Sequence, residues 1–209
     1  MYKCALCSVL ACKDESPQRI PKNCPMNTDA IIEDCFSEYE KNENKNFYIK
    51  SSEIEAAGYC EWPRIREIIE FSKAMNYKKI GIAFCLGLLK EAKIVDRLLT
   101  AAGFEAISVI CKTGAIPKER IGIPDECKVR PGTFETMCNP IAQAKLLNEQ
   151  GTDFNVVVGL CVGHDSMFYK YSEAMVTTLL AKDRVLAHNP AGALYCSEGY
   201  FKNKVAVSK

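Results

Sequence analysis

Short, continuous apolar runs recur in the second half of the chain, and segments with helical spacing separate them. The clearest runs cover residues 80–84, 106–110 and 156–160. Runs this short and this apolar are typical of strands that are buried on both faces, as in a parallel sheet. A further apolar run covers residues 175–180. The pattern therefore predicts a set of buried strands.

Amphipathic segments between the runs predict the helices that cover such a sheet. Residues 88–102 have an apolar face opposed by charged residues, and Gly103 follows as a C-cap. Asn139-Pro140 has the form of an N-cap followed by proline at the first helical position, which predicts a helix over residues 140–150. This alternation predicts an α/β fold, a three-layer sandwich with a mostly parallel sheet.

The N-terminal quarter has a different pattern. Residues 1–26 show little periodicity and contain three prolines, which predicts a small irregular module. Helical spacing covers residues 31–39, and a polar stretch at 41–46 predicts an interruption. A second helical segment covers residues 51–75, with a restart at Pro63.

This change of pattern divides the chain into two expected domains. The first, residues 1–50, is predicted to be a cysteine-rich metal-binding module with a helix, and the second, residues 51–209, an α/β domain. Within the second domain, residues 112–135 are rich in glycine, proline and charge, and they predict a long loop with a short strand near 127–129. Loops of this length are often functional.

Four cysteines mark the edge of the predicted sheet, and we call them the rim cysteines. Cys85, Cys111 and Cys161 directly follow the three apolar runs, and Cys138 precedes the predicted N-cap Asn139. Because all strands of a parallel sheet finish at one edge, where α/β folds bind ligands, we expect the four thiols to meet there. A nearby lysine and helix N-termini favour thiolates, so the set predicts a site for an iron–sulfur cluster or another soft centre. The alternative is that these cysteines only pack beneath loops.

A second set of cysteines lies in the N-terminal module. Cys4, Cys7, Cys12 and Cys24 have the spacing Cys-x2-Cys-x4-Cys-x11-Cys. Close pairs of thiols on tight turns can reach a single metal centre, and four thiols suit tetrahedral zinc or an iron–sulfur cluster. The spacing differs from that of ferredoxins and does not choose between the two. We therefore predict a metal site in this module.

Candidate catalytic groups lie beside the rim cysteines. Cys161 is followed by His164 and Asp165, and Lys112 follows another rim cysteine. A histidine near an acid is a candidate proton donor or ligand, so these four residues are predicted to line a pocket. The charged residues 182–184 could bind an anion at the same edge, although a charge cluster after a strand is more often solvated.

Composition narrows the function classes. The chain has 209 residues, 12 cysteines and a formal net charge of +1, so charge favours neither nucleic acid nor an anionic membrane as a partner. No apolar run is long enough to span a bilayer, and the N-terminus lacks the pattern of a signal peptide, so we expect a cytoplasmic protein with reduced thiols. The expected partner is a redox partner or a small-molecule substrate.

Several long motifs resemble those of one protein family. They are Cys4-Ala5-Leu6-Cys7 and residues 81–88, 138–144, 159–166 and 182–190. Through them the chain resembles, over nearly its whole length, a family of uncharacterised, predicted metal-binding, cysteine-rich proteins found chiefly in anaerobic bacteria and archaea. The resemblance implies metal binding without an assigned reaction. The anaerobic setting implies iron–sulfur chemistry rather than zinc, with a 4Fe-4S cluster as the favoured form.

The sequence thus leads to one main hypothesis and two alternatives. The main hypothesis is a cytoplasmic iron–sulfur protein with electron-transfer, redox or sulfur chemistry on a small molecule. In the first alternative the rim holds no metal, and Cys161 or Cys85 is a nucleophile with His164 as its base. In the second, zinc only stabilises the N-terminal module, and the protein is a binding module without catalysis.

Overall fold

The computed structural model describes residues 1–15 and 17–206. Within them the helices are α1 Asp29–Glu40, α2 Asn42–Gly58, α3 Arg64–Ala74, α4 Leu89–Ala101, α5 Pro140–Glu149, α6 His164–Tyr171, α7 Ala191–Tyr195 and α8 Lys202–Val205. The strands are β1 Lys79–Phe84, β2 Glu105–Ile110, β3 Phe154–Val158 and β4 Met175–Leu180. The chain divides into two compact units, Met1–Ala57 and Gly58–Lys209. No helix formed by the described residues combines the length and the apolarity needed to cross a bilayer.

The first unit begins with irregular backbone and continues into helices. Before α1, its described residues form short 3-10 turns at Cys4–Leu6, Ala11–Lys13 and Pro25–Asn27. Helix α2 starts at Asn42, so the interruption predicted over residues 41–46 is confined to Lys41, whose backbone is extended. The prediction was too wide because polar residues on an exposed face carry only a small helix penalty, unlike glycine or proline.

The second unit is built on a four-stranded sheet in which every strand is parallel, in the order β2-β1-β3-β4. This confirms the predicted α/β class and its parallel sheet. Ile80 and Ile82 of β1 are fully buried, as are Val156 and Val158 of β3. A fully buried isoleucine or valine side chain contributes roughly 1.5–3 kcal/mol relative to an exposed one.

The strand order determines where the helices lie. β1 connects to β2 through α4 in one direction across the sheet, whereas β2 connects to β3 through α5 in the other direction. Connections between parallel strands are right-handed, so α4 covers one face of the sheet and α5 covers the opposite face. Helix α6, which connects β3 to β4, packs beside α5. The sheet is thus a middle layer between helices.

The segment between β2 and α5 is a long loop held by its own side chains. Lys128 is buried and forms ion pairs with Glu119 and Asp125. The short strand predicted near residues 127–129 does not form in this described segment, because Asp125–Cys127 are a 3-10 turn. That prediction was wrong, since the ion pairs of Lys128 hold the backbone in a compact turn.

Candidate functional site

Two rim cysteines lie side by side at the carboxyl edge of the sheet, where open α/β folds have their ligand-binding crevice. The connections change direction between β1 and β3, and open α/β sheets bind ligands at such a point. Cys85 and Cys111 extend the pairing of β1 with β2 by one residue, since the Cys111 N–H donates to the Phe84 carbonyl at 2.9 Å. Both cysteines are buried, and the N–H of Leu86, the residue after Cys85, donates to the Cys111 sulfur at 3.4 Å.

Cys138 reaches the same place from the start of α5. The Asn139 N–H donates to the Cys111 carbonyl at 2.7 Å, which ties the start of the helix to the end of β2. The Asn139 side chain caps α5 by accepting the Ala142 N–H at 3.1 Å. A side-chain hydrogen bond between Cys138 and Cys111 also shifts the pKa of each thiol. Cys85, Cys111 and Cys138 therefore form a continuous row, which we call the thiol row.

Hydrogen bonding shifts the pKa values of the central thiol and of the buried end of the thiol row in opposite directions. Hydrogen bonding with Cys138 and with Cys85, together with burial, raises the pKa of Cys111 far above the usual thiol range. The hydrogen bond with Cys111, aided by the Gly87 N–H and Lys182, lowers the pKa of Cys85 to about 4. The Lys182 Nζ lies 3.4 Å from the Cys85 sulfur.

The pKa of Cys138, at the other end of the row, is also lowered. Its hydrogen bond with Cys111, and the nearby charges of Lys112 and His164, lower the pKa of Cys138 to about 5. Lys112 is held in place because its Nζ donates to the Thr136 carbonyl. The thiolate is the form of cysteine that attacks electrophiles and binds metals, so the lowered pKa favours the reactive form of both thiols.

Cys161 follows β3 and lies outside the thiol row. It is half-buried, and the Arg184 Nη2 donates to its sulfur at 3.0 Å. This contact raises the pKa of Arg184. The Cys161 carbonyl accepts the His164 N–H at 2.9 Å where α6 begins. Because β1 lies between β2 and β3, Cys161 is separated from Cys111 by two strand spacings, roughly 10 Å.

A cavity of about 900 Å³ opens at this edge of the sheet. Four of the residues expected to form the site line it, together with Arg184 and the loop between β2 and α5: Lys112, Cys138, Cys161 and His164. Asp165 is not part of the lining, and its carboxylate accepts the N–H of the adjacent Ser166 at 2.8 Å. Cys85 and Cys111 are also absent from the lining. Cys138 is thus the member of the thiol row that a small molecule can reach.

Two cationic side chains contact thiols, although the sequence suggested them only as anion-binding groups. Lys182 lies against Cys85, and Arg184 lies against Cys161. The carboxylate of Asp183, between them in sequence, accepts two N–H groups of its own turn at 2.8 and 2.9 Å. No sequence pattern indicates these contacts, because they depend on where β4 lies in the sheet.

Gln143 connects the ends of β1 and β2, and sequence reasoning missed it. It is fully buried on α5, and its Nε2 donates to the Phe84 carbonyl at 3.2 Å and the Val109 carbonyl at 2.7 Å. Phe84 directly precedes Cys85, and Val109 lies two residues before Cys111. A signal was present in the sequence, since the glutamine shares its helix face with Leu147, an apolar residue four positions later.

The structure does not bring all the N-terminal cysteines together. Cys4, Cys7 and Cys24 line one small cavity of about 40 Å³. Cys12 does not line this cavity and is exposed on a separate turn, Ala11–Lys13. Among the residues that the structure describes, no three Cys, His, Asp or Glu side chains, here or at the sheet edge, have the arrangement of a metal-ion site.

Comparisons with known proteins identify relatives of the chain but no activity. A family described as "Protein of unknown function (DUF1847)" matches residues 24–179, a range that includes all four rim cysteines. The chain is also 47% identical to "Uncharacterized protein MJ0455" of Methanocaldococcus jannaschii over 208 residues, which cover 99% of this chain and 100% of that protein. Neither description names a substrate, a metal or a reaction.

Proposed function

The chain belongs to the DUF1847 family of proteins of unknown function, and we propose that it carries out thiol-based redox chemistry on a small molecule at the rim cysteines. The observation that supports this most is the thiol row, with its protonated centre and its two thiolate ends. A dithiol reaction needs such a pair, a thiolate that attacks and a neighbouring thiol that follows. In this proposal the protein works in the cytoplasm, where thiols are kept reduced.

Cys138 is the attacking group in this proposal. It lines the cavity, and its lowered pKa makes it a thiolate at neutral pH. Cys85 is equally a thiolate, but it is buried and outside the cavity lining. The assignment differs from the sequence-based alternative, in which Cys161 or Cys85 attacks with His164 as its base. His164 and Lys112 act instead by favouring the thiolate form of Cys138.

The proposed reaction reduces a sulfur–sulfur bond of the substrate, R–S–S–R′. The Cys138 thiolate attacks one sulfur, forms a mixed disulfide and expels R′S⁻, which takes the proton of the Cys111 thiol. The Cys111 thiolate then attacks the Cys138 sulfur and expels RS⁻. Two electrons pass from the protein to the substrate, which leaves as one thiol and one thiolate. A dithiol redox partner reduces the resulting Cys111–Cys138 disulfide and restores the site.

The pH dependence of alkylation by iodoacetamide, followed for each cysteine by mass spectrometry, tests this assignment. Only the thiolate reacts, and the pKa of Cys138 is about 5, so its alkylation rate should rise through pH 5 and then stay constant. The rate for free cysteine in solution, whose thiol pKa is about 8.5, should instead increase about tenfold or more between about pH 6 and about pH 8. A Cys138 profile that follows that of free cysteine would overturn the proposal.

A pair of lysine variants tests the cause of this reactivity. Replacing Lys112 with Met removes a charge that stabilises the Cys138 thiolate, so the alkylation profile of Cys138 should move to higher pH. Lys145→Met removes an exposed charge from α5 and should leave the profile unchanged. Equal profiles for both variants would mean that Lys112 does not set the reactivity of Cys138.

A second candidate function rests on the same donor set. Four thiols at one sheet edge, two of them thiolates, have the chemistry that zinc or an iron–sulfur cluster requires. The N-terminal cysteines offer a second donor set: Cys4, Cys7, Cys12 and Cys24. Among the described residues, no three such side chains have the arrangement of a site for a single metal ion. The opposite pKa shifts within the thiol row support the metal-free reaction directly, so we rank it first.

Anaerobic purification with iron, zinc and acid-labile sulfide analysis separates the two candidates. Stoichiometric iron and sulfide that are lost in Cys138→Ser would favour a cluster at the sheet edge. Stoichiometric zinc or iron that is lost in Cys24→Ser but kept in Cys138→Ser would favour a site in the N-terminal module alone. A metal-free protein that keeps the alkylation profile of Cys138 would favour the dithiol reaction.

A further inference from the structure

The cavity beside the thiols combines positive charge with an apolar wall. We infer that it binds a small organic anion with an apolar body, and that the substrate of the thiol site belongs to this class; the second statement rests on the proposed function. The volume of about 900 Å³ is in the range of sites that bind small molecules.

The charges around the cavity favour an anion. The wall contains four cationic side chains and a single carboxylate, Glu135, which is paired with Lys118. Among the lining residues, cations outnumber anions even with the cavity thiol ionised: Lys112, Lys118, Arg130 and Arg184 against Glu135 and Cys138. A negatively charged ligand reduces this imbalance.

Two of the cations lie beside the reachable sulfur atoms. Arg184 donates one N–H to Cys161, and Lys112 donates one N–H to a backbone carbonyl and lies near Cys138. Neither forms an ion pair with a carboxylate among the described residues. Because a guanidinium has five N–H groups and an ammonium has three, both retain donors for an anionic group. The anion is thus expected next to the reacting sulfur of Cys138.

The apolar part of the wall is exposed and requires an apolar partner. Ile121, Val129 and Phe134 line the cavity and are 60%, 84% and 71% exposed. Single exposed apolar residues are common on protein surfaces. Three large apolar side chains that line the same cavity are instead typical of a binding site. An aromatic or aliphatic body on the ligand would remove their surface from water. The wall therefore selects against small inorganic anions.

Ion pairs within the loop between β2 and α5 hold the wall of the cavity in place. Lys128 joins Glu119 and Asp125 on one side of the loop, and the Lys118–Glu135 pair joins its two ends. Because the loop is already held in one conformation, it loses less conformational entropy when a ligand binds to it. Binding is therefore expected without a large rearrangement.

Calorimetric titration of the reduced full chain with three probes tests the inference. Phenylacetate has both the charge and the apolar body, phenylacetamide lacks the charge, and acetate lacks the body. Phenylacetate should bind with one-to-one stoichiometry, and each of the other two should bind about tenfold more weakly or not at all. Equal affinity for phenylacetate and phenylacetamide, or no saturable binding of phenylacetate, would overturn the inference.

Two pairs of variants locate the binding. Arg184→Gln should weaken phenylacetate binding about tenfold, whereas Arg97→Gln, on the exposed side of α4, should have no effect. Phe134→Ser should weaken it about fivefold, whereas Ile94→Ser, also exposed on α4, should not. Binding that none of these variants changes would place the anion elsewhere and contradict the inference.

The same titration separates this inference from the proposed function. Cys138→Ser should lose the alkylation signal at low pH but keep phenylacetate binding within about twofold, because serine removes the thiolate and leaves the cations in place. Phenylacetate binding with an ordinary Cys138 alkylation profile would support the cavity and reject the thiol reaction. A reactive Cys138 without phenylacetate binding would reject the inference alone.

Discussion

At the scale of single residues, Gly81 and Asn155 determine how closely β1 approaches β3. Asn155 is fully buried, accepts a hydrogen bond from the Thr152 hydroxyl at 2.9 Å and donates to the Ser172 hydroxyl at 2.8 Å. A Cβ atom added to Gly81 would lie only 1.9 Å from the Asn155 Oδ1. The glycine in this apolar strand is therefore required by a buried polar neighbour.

Gly81→Ala should lower the free energy of unfolding by about 2–3 kcal/mol, because the new methyl group displaces Asn155 and its hydrogen bonds. Gly199→Ala is the matched control, since the nearest heavy atom to a new Cβ there is 3.9 Å away. Urea unfolding of both variants measures the difference. Equal free energies of unfolding for Gly81→Ala and Gly199→Ala would mean that β1 and β3 accommodate the added methyl group without loss of stability.

At the scale of elements, helix α5 connects local sequence signals to the site. Asn139 and Pro140 indicate its start, and the structure confirms both the start and the cap. The same cap residue is tied to the Cys111 carbonyl, so the beginning of the helix also places Cys138. The sequence was less informative for the loop between β2 and α5. Its conformation depends on the ion pairs of Lys128 with Glu119 and Asp125, and the hydrophobic periodicity of the sequence does not indicate such pairs.

Asn139→Ala should lower the free energy of unfolding by about 1–2 kcal/mol, because the Ala142 N–H loses its acceptor. Since the cap also positions the thiol row, the alkylation profile of Cys138 should move to higher pH. Asn139→Asp keeps the accepting oxygen and should retain most of the stability. If Asn139→Asp were as unstable as Asn139→Ala, the cap would not be the cause.

At the scale of the whole molecule, the order of the strands decides which thiols can react with each other. β1 lies between β2 and β3, so Cys85 has Cys111 as its neighbour on the adjacent strand, whereas Cys111 and Cys161 are two strands apart. Cys138 lies at the start of helix α5, so its position beside Cys111 does not depend on the order of the strands. The thiol row therefore results from one strand pair and one helix start.

Mild oxidation of the reduced protein with diamide should produce the Cys111–Cys138 disulfide and no Cys111–Cys161 disulfide. Cysteines whose Cα atoms are more than about 7 Å apart cannot be bridged without backbone movement, and two strand spacings exceed this distance. Peptide mapping under non-reducing conditions identifies the pair. In Cys138→Ser the bond should form between Cys85 and Cys111 instead, and a Cys111–Cys161 bond would contradict the strand order.

The sequence by itself determined the class of fold and the positions of the candidate thiols along the chain. The apolar runs of β1 and β3 indicate strands that are buried on both faces, whereas β2 and β4 lie at the edges of the sheet and are only partly buried, so for them that prediction was wrong. A cysteine after three of the four runs marks the edge where parallel strands end. Only the tertiary structure decided which thiols touch, which of them ionise and which reaches the cavity. Those properties depend on strand order and on cations far away in sequence, Lys182 beside Cys85 and Arg184 beside Cys161, and local patterns contain no information about such distant contacts.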